Sequence, residues 1–228
     1  DMNLKGNSYA FFLMLNNALG KMPYDCALVS MIQLSNHDHS RFLTRTNGIV
    51  GRINTHKSED ASSGVKLEVM RQAIMMQVTL PGAPTVYYGD EVGVCGFTDP
   101  DSRRTYPWGH ENLELLEYHR YMNRWHKVRK ELKSGSLIKL ISAAGAVCYA
   151  RVLKDNVSVI VINTGEYAKK IDIPLYLTGM RDNAIISRVI YTNGTGYNVG
   201  RVTYENDNGY LNMEIEPHSG YLLISENL

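Results

Sequence analysis

The spacing of apolar residues changes period once along this chain, near residue 133, and that change limits the architectures open to it. Before it, apolar side chains recur every three or four residues. Phe12, Leu15, Leu19 and Met22 share one helical face, as do Leu67, Met70, Ile74 and Val78; Leu115, Tyr118, Met122, Trp125, Val128 and Leu132 form a longer stripe. Beyond it the spacing falls to two. Leu211, Met213 and Ile215 alternate with Asn212, Glu214 and Glu216, and Ile171 and Ile173 have polar neighbours. A domain boundary is therefore placed near residue 133, between an α/β domain at 1–133 and an all-β domain, an antiparallel sandwich, at 134–228.

In the first part, Pro23 closes the first helix, and the apolar run Ala27 to Leu34 reads as a buried parallel strand. The turn Pro81-Gly82-Ala83-Pro84 leads into a short strand, Thr85-Val86-Tyr87-Tyr88, and the third helix ends at Ser134-Gly135. Between the first strand and second helix, polar Gly48 to Gly64 is too long for an ordinary connection and is expected to be an active-site loop or disordered. In the second part, Val157 to Ile162 is apolar on both faces, as in a central strand, and Asn163-Thr164-Gly165, Asn193-Gly194 and Asn208-Gly209 mark turns.

Lys plus Arg number 24 against 23 acids, a formal charge of +1. No long-range field would draw in nucleic acid or an anionic membrane, so a neutral partner is expected, and carbohydrate is one such class. Cys26, Cys95 and Cys148 are widely spaced, without a CxxC pair or a nearby His at ligand spacing, and read as reduced and structural; no metal site is expected. No apolar run approaches the length of a membrane span. The compartment stays open, with the cytoplasm slightly favoured, because any export signal would lie upstream.

The first strand runs into Asn36-His37-Asp38, with Arg41 following. Ligands of parallel α/β structures meet the C-terminal ends of strands. Taken alone, the triplet could equally be a turn in which Asn36 and Asp38 cap backbone amides. A second block, Leu80 to Gly93 with Pro81-Gly82-Ala83-Pro84 and Tyr87-Tyr88-Gly89-Asp90-Glu91, is followed by Asp99-Pro100-Asp101-Ser102-Arg103-Arg104 and Tyr106-Pro107-Trp108. Together and in this order, these blocks resemble the α-amylase family of glycoside hydrolases, most closely its neopullulanase, cyclomaltodextrinase and amylopullulanase branch. The stretch Glu216 to Leu223 is similar to the last strand of the sandwich that closes such enzymes.

The resemblance implies that residues 1–133 are the last part of a (β/α)₈ TIM barrel, followed by the sandwich. A complete barrel takes about 250 residues, so the chain is expected to lack the earlier strands. It implies that Asp38 stabilises the oxocarbenium-like transition state, that His37 grips the same sugar, and that Asp99 and Arg103 contact the next glucose outward. A retaining glycosidase also needs a nucleophile and an acid/base carboxylate about 5 Å apart. No Gly-x-Arg-x-Asp nucleophile motif occurs here, so the isolated chain is expected to be inactive. The implied substrates are α-glucans and maltooligosaccharides; no cofactor is implied, and calcium is left open.

Other readings remain: a transglycosidase of the same family, a non-catalytic binding or scaffold relative, and a separate starch-binding module at 134–228, where Tyr149, Tyr167 and Tyr176 occur without a Trp and no paired aromatic platform is evident. Asp99 and Arg103 could instead form a mutual ion pair. Glu91 could pair with Asp38, although a rim-shaping role for Asp90 and Glu91 is preferred, and Arg41 is read as an ion-pair partner. Trp108 is read as a sugar platform or a core residue, His119 and His126 as surface or core-edge residues, and the run Lys127 to Lys133 as a solvated helix face. An incomplete barrel leaves open edges, so self-association covering them is expected.

Overall fold

A computed structural model describes residues 6–49, 51 and 54–225. Its first part holds α1 (Ser8–Leu19), α2 (Tyr24–Val29), β1 (Met31–Gln33), α3 (Phe42–Arg45), α4 (Leu67–Thr79), β2 (Ala83–Thr85), α5 (Leu113–Val128) and α6 (Lys130–Ser134). Strands β1 and β2 run parallel, with Ile32 opposite Pro84. They are fastened at their backs by Gln77 of α4, whose side-chain nitrogen donates to the carbonyls of Ile32 at 3.0 Å and Thr85 at 2.9 Å.

The second part holds β3 (Ser136–Ala143), β4 (Ala146–Leu153), β5 (Asn156–Asn163), β6 (Lys169–Pro174), β7 (Ile185–Asn193), β8 (Gly196–Asn198), β9 (Val202–Glu205), β10 (Tyr210–Ile215) and β11 (Ser219–Ser225). A seven-stranded antiparallel sheet runs β3-β4-β5-β11-β7-β8, with β9 also on β7, and β10 pairs with β6 separately. The apolar stretch within β5 lies between β4 and β11, where both faces are covered.

One face of the large sheet, with Val159, Val161, Tyr221 and Leu223, shares a core with Ile173 of β6 and Leu211, Met213 and Ile215 of β10. The opposite face, with Tyr149, Ile160, Ile162, Leu222 and Ile224, packs on Met70, Ile74, Met75 and Val78 of α4 and Leu115, Tyr118 and Met122 of α5. Each such side chain contributes about 1.5–3 kcal/mol of burial. Polar bonds rivet the same seam: Arg71 Nε donates to Thr192 Oγ1 at 2.8 Å, Arg151 Nη1 to the Thr79 carbonyl at 2.7 Å, and Thr79 Oγ1 and the Tyr149 hydroxyl lie 2.6 Å apart. Tyr149 is thus fully buried and unavailable as a sugar platform.

Several sequence expectations need correction. The run Ala27 to Leu34 is not one buried strand: it is helical to Val29, extended only over Met31–Gln33, and Met31 is 66% exposed. The second strand begins earlier, at Ala83, and ends at Thr85. The third helix breaks at Arg129, which leaves helical geometry so that its guanidinium reaches the fully buried Glu131 at 2.5 Å. Within the run Lys127 to Lys133 the lysines are exposed, but Glu131 and Leu132 are buried. Of the surface or core-edge positions expected for His119 the surface one is excluded, since the residue is 3% exposed, whereas Cys26 is exposed and fills no core. The stretch Gly48 to Gly64 lies partly outside the described residues; within it Ser58–Ala61 form a 3₁₀ turn, and Arg104 Nη2 donates to the Ser58 carbonyl at 2.8 Å.

Candidate active-site rim

Just beyond β1, the Asn36 side-chain oxygen accepts from the backbone N–H groups of Asp38 and His39, both at 3.0 Å. Asn36 therefore builds the turn, and the turn turns the next two side chains outward. His37 and Asp38 are 60% and 65% exposed, with His37 Nε2 3.4 Å from Asp38 Oδ1. A carboxylate held open this way has lone pairs to accept hydroxyl hydrogen bonds, and the ring beside it can donate another.

A second strap, Gly96 to Arg104, closes over the same turn. The Asp99 N–H donates to the Asp38 carbonyl at 3.2 Å, Ser102 Oγ donates to the His37 carbonyl at 2.7 Å, and the Arg41 N–H donates to the Gly96 carbonyl at 2.9 Å. The four residues singled out in the sequence, His37, Asp38, Asp99 and Arg103, are thus brought to one rim. Arg103 Nε bonds Asp99 Oδ1 at 2.5 Å, both about half exposed. The mutual ion pair weighed as an alternative is therefore formed. Because both partners are wet, the pair adds at most about 1 kcal/mol of stability and both groups stay accessible from solvent.

Beneath the rim lies a buried ionic anchor. Arg41 is fully buried; its Nε donates to the Ser102 carbonyl at 2.7 Å, and Nη1 donates to the Tyr88 carbonyl at 2.6 Å and to Asp90 Oδ1 at 3.1 Å. Its guanidinium carbon also sits 4.0 Å from the Tyr87 ring centroid. Burial raises the Asp90 pKa above the ordinary carboxylate range, opposed by hydrogen bonds from Ser35 and by Arg41. Gly89, at φ +87, lets the chain turn between Tyr88 and Asp90; a Cβ there would lie 2.7 Å from Val94 Cγ2. Asp90 is therefore committed to Arg41, and Glu91 Oε2 is buried without a partner among the described residues.

Sequence reasoning placed Arg41 as an ion-pair partner but named no partner, and it missed Ser102 as the clamp on His37. It also missed Arg104, which bonds Asp101 at 2.9 and 2.8 Å while reaching Ser58. The interleaved Asp-Pro-Asp-Ser-Arg-Arg run carried that signal, since it offers two acid–base pairs at helical spacing. Trp108, 79% exposed, is not core; it tilts against Tyr106 with ring centroids 4.4 Å apart.

Residues 3–141 match the family profile described as Alpha amylase, catalytic domain. An amylopullulanase of Thermoanaerobacterium thermosulfurigenes is 27% identical over 91% of this chain, and a cyclomaltodextrinase of Thermoanaerobacter pseudethanolicus is 32% identical over 57% of it. The chain spans only 11% and 20% of those two proteins. Among solved structures, a cyclomaltodextrinase superposes with a TM-score of 0.74 at 19% identity, covering 97% of this chain and 33% of that one. The debranching enzyme of Nostoc punctiforme superposes at 0.71 with 21% identity, covering 96% and 40%. These neighbours are TIM-barrel enzymes of one family, and their likeness here is one of fold. The matched stretch takes in the strand-end turn and its strap, and the chain belongs to the α-amylase catalytic-domain family.

Proposed function

We propose that this chain supplies the sugar-gripping part of a retaining glycoside hydrolase acting on α-glucosidic bonds of starch, pullulan or maltooligosaccharides. In this reading residues 1–133 are the last part of the catalytic barrel and residues 134–228 a closing antiparallel sandwich. The observation that carries it is the convergence of the exposed His37–Asp38 pair with Asp99 and Arg103 on one rim, through the Asp99 N–H to Asp38 carbonyl bond.

Asp38 accepts two hydroxyl hydrogen bonds from the sugar at the cleavage point, and these strengthen as the ring flattens toward the oxocarbenium-like transition state. His37 donates a further hydrogen bond to the same sugar. Asp99 and Arg103 exchange their mutual bond for hydroxyls of the next glucose outward, the carboxylate accepting and the guanidinium donating. The nucleophile and the acid/base lie outside these residues. In the complete encoded enzyme, Asp38→Asn should lower kcat on maltooligosaccharides by at least roughly a hundredfold while KM moves little, because the lost interaction belongs to the transition state. Unchanged turnover would remove Asp38 from the mechanism.

A further inference from the structure

The outward face of the β6–β10 pair is built differently from its buried face. Opposite residues run Tyr210 to Pro174, Asn212 to Asp172 and Glu214 to Lys170. Because side chains alternate, Leu211, Met213, Ile215 and Ile173 fill the core, while Tyr210, Asn212, Glu214, Asp172 and Lys170 face solvent. Just after Pro174, the 3₁₀ turn Leu175–Thr178 swings Tyr176 onto Tyr210, with ring centroids 5.4 Å apart and planes inclined at 58°. The two rings remain 52% and 40% exposed.

The arrangement is held before any ligand arrives. The Tyr176 N–H donates to the Gly209 carbonyl at 2.9 Å, and Thr178 Oγ1 donates to the Leu175 carbonyl at 2.6 Å. Gly209 has φ +84, and a Cβ there would come within 2.9 Å of Tyr176 Cβ, so a glycine is needed where the backbone passes Tyr176. Past Tyr176 the same loop lines a cleft of about 450 Å³ with Thr178, Gly179 and Arg181, facing Asn156 and Ser225.

We infer that Tyr176 and Tyr210, with Asp172 and Asn212 beside them, form a second sugar-binding site for an α-glucan chain, on the opposite side of the large sheet from α4 and α5. The two rings, inclined at 58° and about half exposed, offer apolar surface in two directions to a chain that curves, as an α-linked glucan does and a flat β-linked one does not. Sugar C–H faces lie on the rings, and hydroxyls reach the neighbouring carboxylate and carboxamide. Charges of both signs, Lys170 and Arg181 with Asp172, Asp182, Asp207 and Glu214, surround the pair. The choice of α-glucan rests on the function proposed above; the site itself rests on its own geometry.

The test is a calorimetric titration of the 228-residue chain with maltoheptaose, using cellohexaose as the comparison ligand. Tyr176→Ala with Tyr210→Ala should weaken maltoheptaose binding roughly tenfold or more. Tyr176→Phe with Tyr210→Phe should retain it, since the ring faces remain; circular dichroism and unfolding midpoints check that both pairs still fold. Weakening by the alanine pair, in the wild-type or the His37→Ala background, supports the site. Binding that survives the alanine pair but vanishes in His37→Ala overturns it while leaving the proposed function intact. Absence of maltoheptaose binding by the wild-type chain, or equal affinity for cellohexaose, also overturns it. The function itself is judged separately, by turnover of the Asp38→Asn enzyme.

Discussion

Replacing His119 by leucine should remove a defined share of this protein's acid sensitivity. His119 lies on α5 at 3% exposure, and neither ring nitrogen has a hydrogen-bond partner among the described residues. Burial alone lowers its pKa from 6.5 to about 4. Between those values the unfolded chain carries a proton on this ring that the folded chain rejects. By linkage, the contribution to stability is fully present above pH 6.5 and is lost as pH falls toward about 4. At about 1.4 kcal/mol per pH unit, that gap is worth about 3 kcal/mol, a large part of the roughly 5–15 kcal/mol that holds a domain folded. Urea unfolding of wild type and His119→Leu at closely spaced pH values isolates the term, because every other group titrates in both proteins. A packing misfit of the leucine would offset the two curves equally at every pH, so only the pH-dependent difference is diagnostic. It should grow by about 3 kcal/mol in favour of the variant across the window. Parallel curves would refute the assignment of a buried, unpartnered imidazole.

What could be read from the sequence follows from which interactions are local. The stripes of α4 and α5 and the alternation of β6 and β10 were legible, because each element buries one face and its period records that face. The run Ala27 to Leu34 misled because a short, uniformly apolar segment has no period to read. Its helical half and the exposed strand that follows are decided by which neighbours are present. The placing of His37 and Asp38 just beyond a strand, exposed, could be read from the sequence, and Asn36 announces their turn. The anchor beneath them was not. Arg41 and Asp90 are 49 positions apart, and no local pattern links them. Likewise His119 sits between residues that read as an ordinary helix edge; only the packing of α5 seals it. The contact of the large sheet with α4 and α5 was equally hidden, because it joins residues on either side of the switch of period near residue 133 that no local pattern links.

Two further predictions concern the parts of the molecule around β1 and beneath the rim. Leu13, Met14, Val29 and Met31 are 59%, 62%, 75% and 66% exposed, and β1 pairs only with β2 among the described residues; light scattering should therefore find dimers or larger species, and a monodisperse monomer at all concentrations would refute self-association. Arg41→Met should destabilise the protein by about 3–5 kcal/mol in urea unfolding at neutral pH, because it leaves the carboxylate of Asp90, at 4% exposure, buried without its cation. Adding Asp90→Asn should recover part of the loss, since the stranded charge is then gone. The loss should also shrink as pH falls, because a buried carboxylate deprived of its guanidinium takes up a proton more readily than the paired one. An Arg41→Met variant within about 1 kcal/mol of wild type, or a loss unchanged by Asp90→Asn and by pH, would show that the rim does not depend on this ion pair.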